Sequence, residues 1–203
     1  MSDEKRPYRM KRRAELEEQT RRRITESAVA LHEKVGPAQT SISAIAERAG
    51  VRRSTVYRHF PNEDALFAAC SSHWRAANPP PDPRSWSSIE DTAERARTAF
   101  SEVYAYYGRT EAMYVSLLRD QPLVPAVQHR LRHFYRYLGS IQDDLAAGRR
   151  LRGRRAQYAR AAIGHALSFS TWHSLTHDQG LSSDGAVELM CRLVEDASSS
   201  DRA

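Results

Sequence analysis

Cysteine is scarce in this chain: Cys70 and Cys191 are the two thiols among 203 residues. They lie far apart and form no CxxC pair, which excludes a disulfide framework and a cysteine zinc site and fits reduced thiols in a cytoplasmic protein. Long apolar runs are missing as well. No stretch approaches the roughly 18 apolar residues that cross a bilayer, so no membrane span is expected. The first 23 residues are dominated by Lys and Arg and contain no apolar core, so no secretory signal is expected. Period-two alternation of apolar and polar residues is nearly absent, which excludes a strand-rich fold. No Ser/His/Asp arrangement, glycine-rich phosphate loop or HExxH motif occurs, so neither an enzyme nor a cofactor is expected.

The charge is unevenly placed. Residues 1–75 carry 15 Lys+Arg against 10 Asp+Glu, whereas residues 76–203 carry 16 against 15. A basic end joined to a near-neutral body suggests a polyanion-binding part and a part with another task, unless the basic residues form only a solvated tail.

Helical periodicity runs through the whole chain, and the expected class is all-α. Leu16, Ile24, Ala28, Leu31 and Val35 mark a helix over about 15–35, stopped by Gly36-Pro37. Short helices follow over about 42–49 and 53–60. Asn62 with Glu63 and Asp64 opens another helix that reaches about 76, where acids suit the helix dipole. Four prolines between Asn78 and Pro83 read as an extended linker. Longer helices are expected over about 87–107, 110–119, 123–147, 154–177 and 183–198. The domain plan is thus a basic arm (1–19), a first domain (20–77), a linker (78–84) and a larger helical domain (85–203).

The informative stretch is Thr40–Phe60. Ile45, Ala46 and Ala49 give its first short helix an apolar face. Gly50 permits the positive φ of a tight turn, and Val51, Val56 and Phe60 supply the facing apolar side. The second helix then exposes Arg52, Arg53, Ser54, Thr55, Tyr57, Arg58 and His59. Two short helices joined this way are a helix-turn-helix, whose second helix enters the DNA major groove. By composition alone, an ordinary αα-hairpin with a basic surface stays open.

The segment resembles the DNA-binding region of the TetR (tetracycline-repressor-like) family of bacterial transcription regulators. The resemblance rests on Thr40-Ser41-Ile42, Ile45-Ala46, Ala49-Gly50-Val51, Thr55–Phe60 and the helix start at Pro61–Leu66, and it covers about 20–75. At Glu63 many members of the family carry a phosphate-contacting Lys, so that side-chain contact is missing here. The resemblance implies that Thr40 and Ser41 bond phosphates, and that Arg53, Ser54, Thr55, Tyr57 and His59 face the groove, with Arg52 and Arg58 beside them. Lys11, Arg12 and Arg13 belong to a basic arm that either enters the minor groove or adds only non-specific attraction.

It further implies a homodimer on a palindromic double-stranded operator and a larger domain that binds a small-molecule effector. Small and apolar residues on the last two helices (Ala162, Ala166, Phe169, Ser170, Val187, Met190, Leu193, Val194) are candidates for a four-helix dimer interface, or for packing inside one subunit. Phe100, Tyr104, Phe134, Leu138, His165 and Trp172 are candidates for the effector site among the aromatic residues of the middle helices. The fourth helix and the proline-rich stretch would carry the motion between DNA-binding states.

The function this implies is a ligand-responsive regulator, in the sense of a repressor, placed in the cytoplasm and on the nucleoid. The alternatives are an architectural DNA-binding protein and, remotely, a small helical enzyme fused to a helix-turn-helix. His129/His133 and His173/His177 stand at i, i+4 spacing, which can place two imidazoles on one metal. No Glu or Cys lies in register with either pair, so no metal site is expected. Arg149–Arg155 reads as a solvated basic turn.

Overall fold

A computed structural model describes residues 5–199. Every element among them is helical: α1 (Lys5–Lys34), a 3₁₀ turn (Pro37–Gln39), α2 (Ile42–Arg48), α3 (Arg53–His59), α4 (Glu63–Ala77), α5 (Arg84–Ser87), α6 (Thr92–Asp120), α7 (Pro125–Ala147), α8 (Gly153–Ala166), α9 (Phe169–His173), a π turn (Ser174–Asp178) and α10 (Ser183–Ser198). No helix among the described residues is long and apolar enough to cross a membrane.

Three elements differ from the sequence pattern. First, α1 begins at Lys5 and not near residue 15, so the described part of the expected arm is helix; residues 1–4 of that arm lie outside the described residues. Its first turns carry the exposed Tyr8 and Met10 among charged residues, and periodicity cannot reveal a helix with no apolar stripe. Good helix formers and the Arg13–Glu17 pair at i, i+4 support it. Second, α6 runs unbroken through Gly108, where a break was expected. One glycine costs a helix about 1 kcal/mol, and the buried residues on either side outweigh that. Third, the helix expected over 154–177 stops at Leu167, turns through an extended Ser168, and resumes as α9 and the π turn.

The chain divides into two compact units, residues 1–79 with 115–130 and residues 80–114 with 131–203. In the first, α1 packs against α2, α3 and α4. The core is Ile24, Ala28, Ile45, Ala46, Ala49, Val56, Phe60, Leu66 and Cys70. Burial pushes the Cys70 thiol up to about 12, so it is an inert apolar filler. A second contact set closes the corner after α1. Gly36 turns there with φ 91°, and a Cβ on it would collide with the Arg119 guanidinium and the Asp120 carboxylate. Arg119 Nη2 donates to the Val35 carbonyl (2.8 Å), the Ala38 N–H donates to Asp120 Oδ2 (2.9 Å), and Ser116 Oγ donates to the Glu33 carbonyl (3.2 Å). Its pairing with Arg119 holds the Asp120 carboxyl below its ordinary range.

In the second unit the hydroxyls of Tyr104 and Tyr107 donate to the carbonyls of Ala166 (2.9 Å) and Leu167 (2.6 Å). These are carbonyls that the end of α8 leaves without helical partners, so α6 caps the break in the chain. Around them Tyr114, Phe134, Phe169 and Trp172 pack in edge-to-face, tilted and stacked pairs, with centroids 4.7–5.8 Å apart. α8 packs against α10. Arg149 is not solvated as the basic turn suggested. Its guanidinium is buried and bonds Glu195 (2.7 Å), Ser198 (3.0 Å) and the Thr92 carbonyl (3.3 Å), which ties α10 to the start of α6.

His32 lies buried in the first unit, stacked on Phe67 at 4.9 Å. Burial lowers its pKa to about 4 from 6.5, partly offset by Asp120. The folded form therefore resists a proton that the unfolded chain accepts. Stability is full above about pH 6.5 and falls as the pH drops toward 4, by about 3 kcal/mol for this one group. Urea unfolding across that range should show the loss, and His32→Phe should remove much of it. An unchanged pH dependence in that variant would contradict the assignment.

Candidate nucleic-acid interface

The interface is built from α2, α3 and the turn between them. Ser41 caps α2, its Oγ accepting from the Ala44 N–H at 3.1 Å. The turn is a Schellman motif. Gly50 sits at φ 63°, Val51 N–H donates to the Ala46 carbonyl (2.9 Å) and Gly50 N–H to the Glu47 carbonyl (3.0 Å). α3 then crosses with Val56 and Phe60 buried. That orientation leaves Arg52, Arg53, Ser54, Tyr57 and Arg58 exposed on one face. Tyr57 keeps 49% of its surface open, much for an aromatic residue of a structured segment.

Other expected contacts are placed less openly. Thr55 and His59 are half-buried. The His59 Nε2 is buried with no hydrogen-bond partner among the described residues, and desolvation with Arg58 and Arg21 nearby lowers the pKa of the ring. Thr40 Oγ1 donates to the Gly36 carbonyl at 2.7 Å, so its single proton is directed inward and away from any phosphate. Ser41 differs, because its hydroxyl only accepts in the cap and keeps a proton to donate. Lys11, Arg12 and Arg13 are exposed on α1, on a helix and not on an extended arm.

The residue that sequence reasoning missed is Arg21. It reads as one more charge in a basic segment, yet its guanidinium stacks over the Phe60 ring at 4.3 Å and its Nη1 donates to the His59 carbonyl at 2.8 Å. It thereby caps the C-terminal end of α3 from α1. Its position three residues before the buried Ile24, almost one helical turn, was the available signal.

Residues 24–70 match the family model described as bacterial regulatory proteins, tetR family. Over those residues the chain is similar to the TetR family. The match spans the core of the first unit together with α2, α3 and most of α4, and the family is one of DNA-binding regulators, not of enzymes. Solved structures share the fold over most of the chain. A TetR-like transcriptional regulator from Rhodococcus sp. RHA1 is 18% identical with a TM-score of 0.58, covering 87% of this chain and 93% of its own. The fatty acid degradation regulator FadR from Bacillus halodurans is 18% identical at 0.57, covering 86% and 93%. The multidrug binding protein EbrR is 23% identical at 0.50, covering 86% and 89%. No curated protein matches the chain by sequence. The TetR-family fold accounts for an N-terminal helix-turn-helix followed by a larger helical domain.

In that larger domain the expected site residues separate into two groups. Phe100, Tyr104 and Trp172 are buried, and Phe134 and Leu138 are half-buried. Tyr104 is a structural donor whose hydroxyl is already bonded. His165 faces outward from α8, its Nδ1 3.3 Å from Thr171 Oγ1, because the inward face of that helix is taken by Ala159, Ala162, Ile163 and Ala166. Of the expected dimer residues, Ala162, Ala166, Phe169, Val187, Met190 and Val194 are buried within the single chain, the first two and last three where α8 meets α10. Ser170 and Leu193 remain open, and Tyr158 and Leu189 are exposed on the same two helices.

The histidine pairs part ways. Arg136 Nη2 lies 2.7 Å from His133 Nδ1, a cationic donor where a metal would need a lone pair. His173 and His177, by contrast, gain a partner that the sequence gave no reason to expect: Glu111 of α6 lies against both.

Arg21→Met should keep the stem of the side chain and lose its two polar contacts. Urea denaturation should show a loss of about 1–2 kcal/mol, against a change within about 0.5 kcal/mol for the exposed Arg53→Met. Equal stability of the two variants would contradict the capping role.

Proposed function

We propose that the chain is a ligand-responsive transcriptional regulator, acting as a repressor, that binds a palindromic DNA operator as a homodimer in the cytoplasm. The observation that carries this reading is the face of α3. Arg52, Arg53, Ser54, Tyr57 and Arg58 are open on one side of a short helix whose other side is anchored by Val56, Phe60 and Arg21. Forked guanidinium donors, a hydroxyl and a phenol ring are the groups that read base edges and clamp phosphates. Ser41 with its free proton, and Lys11, Arg12 and Arg13 on the outer face of α1, are proposed as phosphate contacts. Thr55 and His59, half-buried, are proposed as weaker groove contacts, and the Thr40 hydroxyl, whose proton goes to the Gly36 carbonyl, as a helix-entry brace.

A helix of seven residues contacts few base pairs, and a two-fold dimer doubles them. Tyr158, Leu189, Leu193 and Ser170 provide the outward surface of α8–α10 for a four-helix dimer contact. The effector is proposed to be an apolar small molecule received beside Phe134, Leu138 and Trp172. The solved folds of a fatty acid degradation regulator and a multidrug binding protein are in keeping with that chemistry.

The coupling element proposed is α6 in place of α4 and the proline stretch. The same helix carries the capping residues Tyr104 and Tyr107 and, at its end, Ser116, Arg119 and Asp120, which bond the corner after α1. Effector and DNA then oppose each other by linkage, each weakening the other by the same factor.

Arg53→Ala and Tyr57→Ala should each weaken specific operator binding at least about tenfold, the loss of one good base or phosphate contact. Thermal stability should stay close to that of the parent protein. Fluorescence anisotropy with a labelled operator and a melting curve check both. Unchanged affinity in both variants would remove α3 as the reading element.

A further inference from the structure

We propose that Glu111, His173 and His177 form a binding site for a divalent transition-metal ion of the zinc class. The three side chains come from separate places: Glu111 from α6, His173 from the last residue of α9, and His177 from the π turn. Their ligand atoms all lie within 4.8 Å of one another. His177 Nε2 stands 2.9 Å and His173 Nε2 3.6 Å from the same oxygen, Glu111 Oε1. Ligand atoms at about 2.0–2.1 Å from a tetrahedral zinc stand about 3.3 Å apart, so the observed spacings bracket what such an ion needs.

The nitrogens are brought together on one oxygen. Both Nε2 atoms face Glu111 Oε1; the two imidazoles stack with centroids 4.4 Å apart and planes 6° from parallel, so the rings must rotate out of the stack to place both in-plane lone pairs on one ion. Thr176 Oγ1 lies 3.0 Å from His177 Nδ1, the outer hydrogen bond that fixes which ring nitrogen is left to a metal. Phe169 and Trp172 flank the rings at 5.7 and 5.9 Å. The π turn is itself a rare conformation, frequent at functional sites.

A plain imidazole–carboxylate ion pair needs one histidine, and its second partner here is what the simpler reading leaves unexplained. Two nitrogens and one carboxylate oxygen favour zinc, cobalt or nickel over magnesium and calcium, which prefer oxygen alone. The three groups remain partly open to solvent, with 32–45% of each side chain exposed, so an ion can enter. With three protein ligands, a fourth position is left for water or for a donor atom of a small molecule. The bound ion would staple the π turn to α6. This inference does not depend on DNA binding.

The test uses the full chain, free of any affinity tag and stripped with a chelator, titrated with Co²⁺ and followed by its visible d–d absorption. One equivalent of tetrahedral Co²⁺, displaced by Zn²⁺, is expected. Glu111→Gln and His177→Asn should each weaken binding more than about 100-fold, beyond the range for outer-shell changes, while Thr176→Val should weaken it about tenfold. Far-UV circular dichroism confirms that the variants stay helical. If a ligand variant fails to fold, Thr176→Val alone decides. Absence of the bands in the parent chain, their survival at full strength in either folded ligand variant, or unaltered affinity in Thr176→Val would overturn the assignment.

Discussion

The contact between Arg21 and the end of α3 is the constraint on which the exposed basic face of α3 depends. A seven-residue helix has too few internal hydrogen bonds to hold itself in water. α3 is stable because Val56 and Phe60 are buried against α1 and α2, and because Arg21 covers the Phe60 ring and bonds the His59 carbonyl. One side of α3 is thereby fixed, and the opposite side is left to Arg53, Tyr57 and Arg58. The basic residues of α1 thus do two different jobs. Arg21 turns inward as a positioning residue, while Lys11, Arg12 and Arg13 stay in solvent.

Buried polar groups do similar positioning work elsewhere. Two tyrosine hydroxyls close the carbonyls that the break after α8 would otherwise leave orphaned. Arg149 gathers a carboxylate, a hydroxyl and a carbonyl from α10 and the start of α6. At the corner after α1, Asp120 accepts from a backbone N–H while paired with Arg119, and Gly36 is needed because no side chain fits beside them. Each case spends a polar side chain on a broken stretch of backbone. Such bonds are directional, so they fix how the elements meet more sharply than apolar packing alone.

The sequence was most legible where one physical rule governs a short stretch. The Thr40–Phe60 pattern carried apolar spacing, a left-handed glycine and a basic face together, and each of these is found in the structure. Helix ends marked by Asn62 and by Gly36-Pro37 were equally readable. The unreadable parts have a common cause. The start of α1 has no apolar stripe, so period gives no signal. Arg21, Arg149 and Glu111 owe their roles to partners distant in sequence, which spacing cannot show. The small residues of α8 and α10 satisfy equally a subunit core and a dimer surface, and Ala162, Ala166 and Val187 are already buried within the one chain. His165 lies on the outer face of α8, since one residue along a helix is a turn of about 100°, enough to move a side chain from the inner face to the outer.

The central claim is that α3, pinned by Arg21 and Phe60, reads a defined operator from a symmetric pair of chains. Footprinting of the purified protein on the DNA flanking its own coding region, over a series of salt concentrations, tests it most directly. The account predicts one protected palindrome whose half-sites lie about 10 base pairs apart, or a multiple of that, and which persists at moderate salt. Diffuse protection that disappears as salt is raised would contradict it, leaving phosphate attraction without sequence reading.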